Sequence, residues 1–368
     1  MNKQGRGNIS FFDKNIRFLR AVFLSRLKKT PYKLNFAVTS ACNANCLTCN
    51  VGRNYRRNPQ LVKNELQLNQ IEKIFTQLPD TITWLSFSGG EPFLKKDFVE
   101  IIKLALEKLP NLSVINIPSN GLNTKAIVNQ VKKILEFYPH QFFINFSLDG
   151  PPRVHNQIRG VSGGYDRTWK TYLAIKKIAK SNPNFRVNLE ITISRFNINH
   201  LSKFVKQLID KGEKITVTIA HDGFLYKNQG KRSFTINEAD LTKIKEVIKI
   251  VSGSLSLFNP AELVEKLYLR KIPQFIKKPK EQPLPCTALK ASCALDPFGN
   301  VTPCFMLGTE LGNLGKNNFN LMTILRKKRT LKTKTKINQG ACTCWTPCEA
   351  YQSIIWTFLT ARWYRFNK

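Results

Sequence analysis

The chain predicts an α/β fold: a partial (β/α)6 parallel barrel followed by a small cysteine-rich C-terminal domain. Six strand-like segments alternate with helix-like segments between residues 33 and 221. Repeated β/α alternation gives a parallel sheet with helices packed outside it, and six units are too few to close the eight-unit barrel. Six of the nine cysteines fall between Cys286 and Cys348, a density that packing alone does not require. Hydrophobic residues at 42 % and aromatics at 11 % supply a buried core, which excludes wholesale disorder.

The elements follow in order. "YKLNFAVTS" is rich in apolar, β-branched and aromatic residues and predicts the first strand from residue 33. "LQLNQIEKIFTQL" repeats its apolar residues at three- and four-residue steps and predicts a helix. The same two periods alternate through strand "TITWLSFS", helix "DFVEIIKLALEKL", strand "LSVINIPS" and helix "TKAIVNQVKKILEF". They continue through strand "QFFINFSL", helix "YDRTWKTYLAIKKIAK", strand "RVNLEITIS", helix "HLSKFVKQLID" and a sixth strand, "KITVTIA". After His221 the pattern loosens. Residues 222–282 hold helices at "NEADLTKIKEVIKIV" and "AELVEKLYLRKI", then a Lys/Pro-rich connector. "DPFGNVTPC" reads as a hairpin turn.

Charge and cysteine use narrow the function. Lys and Arg total 58 against 24 acidic residues, a net charge of +34, which attracts anions: nucleic acid, phospholipid headgroups or acidic small molecules. No run of about 18 apolar residues predicts a membrane span. The first twelve residues, "MNKQGRGNISFF", lack the apolar core of a secretory signal. A cytoplasmic chain is therefore expected, with cysteines that serve as metal or redox ligands rather than disulfides. "NIRFLRAVFLSRLKK" and "SIIWTFLTARWYRFNK" are basic amphipathic segments, the second carrying Trp363, Tyr364 and Phe366 near its end. They fit either helices covering the open side of the barrel or peripheral association with an anionic membrane.

In a parallel α/β sheet the chemistry belongs on the loops after the strand C-termini. The first such loop, "TSACNANCLTCN", carries Cys42, Cys46 and Cys49. Thiolates suit iron–sulfur clusters or zinc, but a structural zinc wants four ligands and no fourth lies nearby in sequence. Three thiolates on a 4Fe–4S cluster leave one iron open.

This Cys-x3-Cys-x2-Cys after the first strand of a β/α chain resembles the radical S-adenosylmethionine superfamily, although Thr48 stands where an aromatic residue is common. The resemblance implies a 4Fe–4S cluster on Cys42, Cys46 and Cys49 that binds S-adenosyl-L-methionine through its open iron. Reductive cleavage of the cofactor would give a 5′-deoxyadenosyl radical, which takes a hydrogen atom from the substrate. "SFSGGEP" at the end of strand two places Gly89, Gly90 and Glu91 where similar proteins hold the methionine amino group. "PSNG" presents Ser119 and Asn120 near the cofactor, and "SLDGPP" presents Ser147 and Asp149. Arg159 in "HNQIRG" offers a fork for the methionine carboxylate, and Asn188 or Glu190 could face the cavity from strand five. The structural alternatives are a surface ion pair for Arg159 and an outward-facing charge for Glu190.

The later cysteines resemble the SPASM/twitch extension of the same superfamily, which carries auxiliary iron–sulfur clusters. Cys286, Cys304, Cys342, Cys344 and Cys348 are the candidate ligands. Too few thiols are present for two auxiliary clusters, so one 4Fe–4S cluster is expected on Cys286, Cys304, Cys348 and either Cys342 or Cys344. Cys293 is the candidate for a free thiol, and a zinc knuckle is the structural alternative.

The resulting organisation is a basic amphipathic extension (1–32), a radical S-adenosylmethionine core (33–221), a helical connector (222–282), an auxiliary-cluster domain (283–350) and a basic-aromatic tail (351–368). The implied substrate is a peptide or protein side chain. The alternative is a lipid, lipid-linked sugar or phosphorylated sugar, and a reducing partner such as a flavodoxin or ferredoxin is expected. A reading from another class, a zinc-stapled nucleic-acid binder, rests on the charge and the clustered cysteines.

Overall fold

The computed structural model describes residues 11–230 and 234–359. Trp363, Tyr364 and Phe366 lie outside the described residues. Six parallel strands appear where the alternation predicts them: β1 (Lys33–Thr39), β2 (Trp84–Gly89), β3 (Val114–Ser119), β4 (Gln141–Ser147), β5 (Phe185–Ile193) and β6 (Ile215–Ile219). The helices before and between them are α1 (Phe11–Lys28), α2 (Val51–Arg57), α3 (Leu68–Thr76), α4 (Phe98–Lys108), α5 (Thr124–Phe137), α6 (Pro152–Arg159), α7 (Gly164–Ala179) and α8 (Ile198–Asp210). Beyond β6 follow α9 (Leu241–Ser254), α10 (Pro260–Lys277), β7 (Ser292–Leu295), β8 (Asn300–Thr302), β9 (Gly312–Asn313), α11 (Leu321–Leu325), α12 (Lys328–Asn338) and α13 (Pro347–Phe358).

All nine strands form one sheet, in the order β6-β5-β4-β3-β2-β1-β7-β8-β9. The cysteine-rich segment therefore extends the barrel sheet: β7 pairs parallel with β1, Leu34 opposite Cys293. The hairpin read from "DPFGNVTPC" is present, with Leu295 opposite Val301.

Side-chain alternation gives the sheet two different faces. Phe36, Phe87, Ile117, Ile144 and Leu189 are buried in one core with helix residues such as Phe75, Ile102, Val131 and Tyr172. The residues between them on the strands, including Lys33, Ser86, Asn116, Asn145, Glu190 and Thr216, line an inner cavity. The sheet does not close from β6 back to β1, and α13 bridges the two sides. On the β1 side, Lys33 Nζ donates to the Cys348 carbonyl (3.0 Å) and Asn35 Nδ2 to Glu349 Oε1 (3.3 Å). On the other side, the Tyr351 hydroxyl donates to Glu265 on α10, and Tyr268 reaches Thr218 on β6 (3.4 Å). The N-terminal end of the barrel is covered by α1, whose Phe18 ring meets Tyr32 and Trp84 at 6.0 and 6.2 Å. Among the described residues no helix is long and apolar enough to cross a membrane.

Candidate active site

The loop after β1 is held from several directions. Asn45 N–H donates to the Arg159 carbonyl and Leu47 N–H to the Ile158 carbonyl, both at 2.8 Å. Asn50 N–H donates to the Tyr226 carbonyl, and Gly90 and Glu91 N–H groups donate to the Thr39 and Ala41 carbonyls, again at 2.8 Å. Glu65 accepts from Ser40 N–H and Ser40 Oγ, each at 2.7 Å. Glycines, Gly90 and Gly160 among them, let the loop lie this close. A Cβ on Gly90 would stand 2.0 Å from the Ala41 carbonyl oxygen, and one on Gly160 would stand 2.4 Å from that of Asn45. Gly160 also ends α6 at φ +61, a conformation that favours glycine.

Cys42, Cys46 and Cys49 consequently all face a cavity of about 290 Å³ at the strand C-terminal ends. Gly89, Gly90, Glu91, Ser119, Asn120, Ser147, Arg159 and Glu190 line the same cavity, so the structure brings these sequence candidates together. Burial pushes Cys42 and Cys49 up to about 12, and raises Cys46 against the opposing charge of Arg159. Metal binding at these thiols would displace their protons.

Several side chains have roles that the motif alone does not specify. The buried Glu91 carboxylate accepts from Asn120 N–H (2.7 Å) and Ser119 Oγ (2.9 Å), tying β2 to β3. Burial pushes this carboxyl up to about 7 despite those bonds. Asn120 Nδ2 in turn donates to Asn43 Oδ1 in the cysteine loop (2.7 Å). Arg159 is mostly buried and pairs with the fully buried Asp149: Nε lies 2.7 Å from Asp149 Oδ2, and Nη1 is 3.9 Å from Cys46 Sγ. The surface-ion-pair alternative for Arg159 therefore does not describe this residue. Asn188 and Glu190 both occupy inward positions on β5. Asn188 donates to Asn145 (3.0 Å), while Glu190 reaches the cavity, its carboxyl raised by burial. Tyr226, which the sequence reading missed, joins the cavity wall beside Thr48.

The five candidate ligands among the later cysteines divide between two places. Cys286, Cys304, Cys342 and Cys344 line a second cavity of about 110 Å³. Cys348 lines the main cavity instead. The expectation grouped Cys348 with Cys286 and Cys304 and left one of Cys342 and Cys344 spare. Cys348 sits on the main cavity because α13 begins at Pro347 and its first turn faces the barrel, as does Tyr351 three residues beyond Cys348. Thr346 stands between the two places, its hydroxyl 3.1 Å from Cys348 Sγ and 3.9 Å from Cys344 Sγ. His221 borders both cavities and is held neutral by burial, which brings it down to about 4. Cys293 lies fully buried in β7 and borders neither cavity.

Among the described residues no three Cys, His, Asp or Glu side chains converge closely enough to hold a single metal ion. A 4Fe–4S cluster makes a different demand, because each thiolate binds its own iron. Three soft thiols, a glycine strip pressed against their loop, and a buried Thr216 hydroxyl with no partner at the cavity fit a cluster with a polar small-molecule cofactor beside it.

Residues 36–208 match the Radical SAM superfamily. The chain carries a radical SAM domain. It is 28 % identical over 205 residues to the sporulation killing factor maturation protein SkfB of Bacillus subtilis, covering 53 % of this chain and 45 % of that one. The chain spans about half the length of the curated relatives it matches. Its fold is similar to native anSMEcpe with bound AdoMet and the Kp18Cys peptide, at TM-score 0.58 and 18 % identity, with 82 % of each chain covered. It is also similar to Streptococcus suis SuiB bound to its precursor peptide SuiA, at TM-score 0.55 and 15 % identity, covering 90 % of this chain and 74 % of that one. The radical SAM domain matches the superfamily implied by Cys42, Cys46, Cys49 and the Gly89–Gly90–Glu91 strand end.

Proposed function

We propose that this protein is a radical S-adenosylmethionine enzyme that modifies a peptide or protein side chain, with one auxiliary iron–sulfur cluster behind the reaction cavity. The observation that carries the reading is the cavity itself: three thiols on its upper wall, polar strand faces below them, and a second, four-thiol cavity adjoining it through His221. SkfB, a maturation protein, and the peptide-bound anSMEcpe and SuiB structures favour a peptide over a lipid or sugar.

Cys42, Cys46 and Cys49 would hold the 4Fe–4S cluster, and the strand ends at Gly89–Glu91, Asn120 and Ser147 would border S-adenosylmethionine. When bound, this pair supplies one-electron cleavage of the sulfonium and hydrogen-atom abstraction from the substrate. Arg159 stays cationic through its pairing with Asp149 and offers its remaining N–H groups to an anion. Asn116, Asn145, Glu190 and Thr192 present donors and acceptors suited to peptide amides. Cys286, Cys304, Cys342 and Cys344 would hold the auxiliary cluster. A flavodoxin- or ferredoxin-like protein would supply the electron.

The substrate class is tested with two perdeuterated bacterial extracts, one of peptides and one of lipids and sugar phosphates, each incubated anaerobically with the reconstituted enzyme. Deuterium in 5′-deoxyadenosine from the peptide extract alone supports the reading. Deuterium from the lipid and sugar-phosphate extract alone overturns the substrate class and leaves the radical chemistry standing.

A further inference from the structure

Helix α1 has two apolar faces, and only one is used by the fold. Phe18, Ala21, Val22 and Ser25 form the inner face. Val22 and Ala21 are buried, and Val22 clusters with Tyr32 and Ala291, against which Phe18, Ile355, Trp356 and Leu359 pack. The 3.6-residue period places Ile16, Leu19, Phe23 and Leu27 together on the opposite side. These four are 48, 49, 55 and 64 % exposed, a continuous stripe of large apolar side chains in contact with water. They account for half of the eight large hydrophobics that are exposed among the described residues.

The borders of the stripe are basic. Arg17 and Arg20 follow one edge and Arg26 the other, Lys28 at the helix end is paired with Asp80 (2.6 Å), and no acidic residue stands in sequence between Ile16 and Lys29. Arg26 is fixed by a hydrogen bond to the Leu359 carbonyl (2.6 Å) and by the Trp356 ring 5.3 Å away, so that edge of the helix is anchored to α13. An apolar stripe edged by cations complements the interface of an anionic bilayer, where the side chains enter the acyl boundary and the cations meet lipid phosphates. A soluble partner would have to bring both an apolar groove and an acidic rim. The net charge of +34 also favours the anionic surface.

We propose that the outer face of α1 docks this enzyme on anionic lipid, with Ile16, Leu19, Phe23 and Leu27 inserted and Arg17 and Arg20 at the headgroups. The barrel's N-terminal end, which α1 covers, then faces the membrane, and the cysteine loop at the strand C-terminal ends faces away from it. Docking in this orientation leaves the reaction cavity open to a substrate from the aqueous side. The inference stands on α1 alone and is independent of the substrate class.

The test is co-sedimentation of the full-length protein with phosphatidylcholine vesicles that contain or lack phosphatidylglycerol. The wild type should pellet with the anionic vesicles only, and less in high salt. Leu19→Asp/Phe23→Asp should weaken partitioning by about tenfold or more, with thermal melting unchanged. Arg17→Glu/Arg20→Glu, which leaves the apolar stripe intact, should remove most of the salt-sensitive part and gives a second reading if the first variant does not fold. Equal binding to both vesicle types overturns the proposal, as does binding that both variants retain. A dimer that dissociates in Leu19→Asp/Phe23→Asp, without vesicle binding, makes a second copy the occupant. Binding that appears only after residues 360–368 are deleted makes the chain's own C-terminal segment the occupant. Either result overturns the proposal.

Discussion

Glu91 Oε2 accepts the Asn120 N–H at 2.7 Å, and that one bond joins the end of β2 to the end of β3 beneath the cysteine loop. The second oxygen accepts from Ser119, and Asn120 passes the connection on to Asn43. The glutamate is therefore a brace between the two strand ends and the cysteine loop as well as part of the cavity lining. Glu91→Ala leaves a buried N–H and a hydroxyl without acceptors and should cost about 1–3 kcal/mol of stability. Glu91→Gln can still accept from Asn120 while donating to Ser119, so it should lose much less. Denaturant melts of the two variants check the ordering, and equal losses would show that the brace is unimportant.

The close approach at Gly90 makes a separate prediction. In Gly90→Ala the new methyl would meet the Ala41 carbonyl oxygen at 2.0 Å, and a backbone atom cannot swing aside as a side chain can. The loop must shift, moving Cys42 with it. This variant should lose about four iron atoms per chain while the auxiliary iron remains. Iron analysis together with the spectrum of the reduced protein distinguishes the two losses. Unchanged iron would mean that the loop tolerates the shift.

The division of the late cysteines predicts an asymmetry. Cys286→Ala and Cys344→Ala should each lose the auxiliary iron. Cys348→Ala, whose thiol lies on the main cavity, should keep the full iron content. Loss of auxiliary iron in Cys348→Ala would return that thiol to the ligand set.

Glu265 sets a pH dependence. Its carboxyl is buried between α10 and α13 beside Tyr351 and Tyr268, with Glu190 nearby, and burial pushes it up to about 7. Because the folded state holds this proton more tightly than the unfolded chain, stability is greatest below about pH 4.5 for this group and falls as pH rises toward 7. The contribution is on the order of 3 kcal/mol. Glu265→Gln should flatten that part of the stability profile, leaving Glu91 and Glu349, also pushed up to about 7, to supply the remaining slope. An unchanged profile in Glu265→Gln would exclude its carboxyl as a source.

The strand–helix order was legible because two periods, two residues and 3.6, alternate cleanly from Lys33 to His221. The shared cavity was legible for the same reason: strand ends of a parallel sheet meet on one side, so motifs at successive strand ends must converge. Contacts set by the tertiary fold were not legible. Nothing in "GGE" says that the Glu91 side chain turns toward Asn120, and nothing near Gly160 says that Asn45 presses against it. Tyr226 reaches the cavity from a loop with no motif of its own. The position of Cys348 carried a weak signal, since Thr346–Pro347 marks a helix start that would set Cys348 and Tyr351 on one face.

The central claim is that Cys42, Cys46 and Cys49 support reductive cleavage of S-adenosylmethionine. The direct measurement is 5′-deoxyadenosine formed by anaerobically reconstituted protein with S-adenosylmethionine and dithionite, alongside iron, sulfide and zinc content. The wild type should bind iron and sulfide and form deoxyadenosine. Cys42→Ala/Cys46→Ala/Cys49→Ala should form none while keeping the auxiliary iron. Bound zinc without iron, and no deoxyadenosine from the wild type, would contradict the account and restore the zinc-stapled nucleic-acid binder.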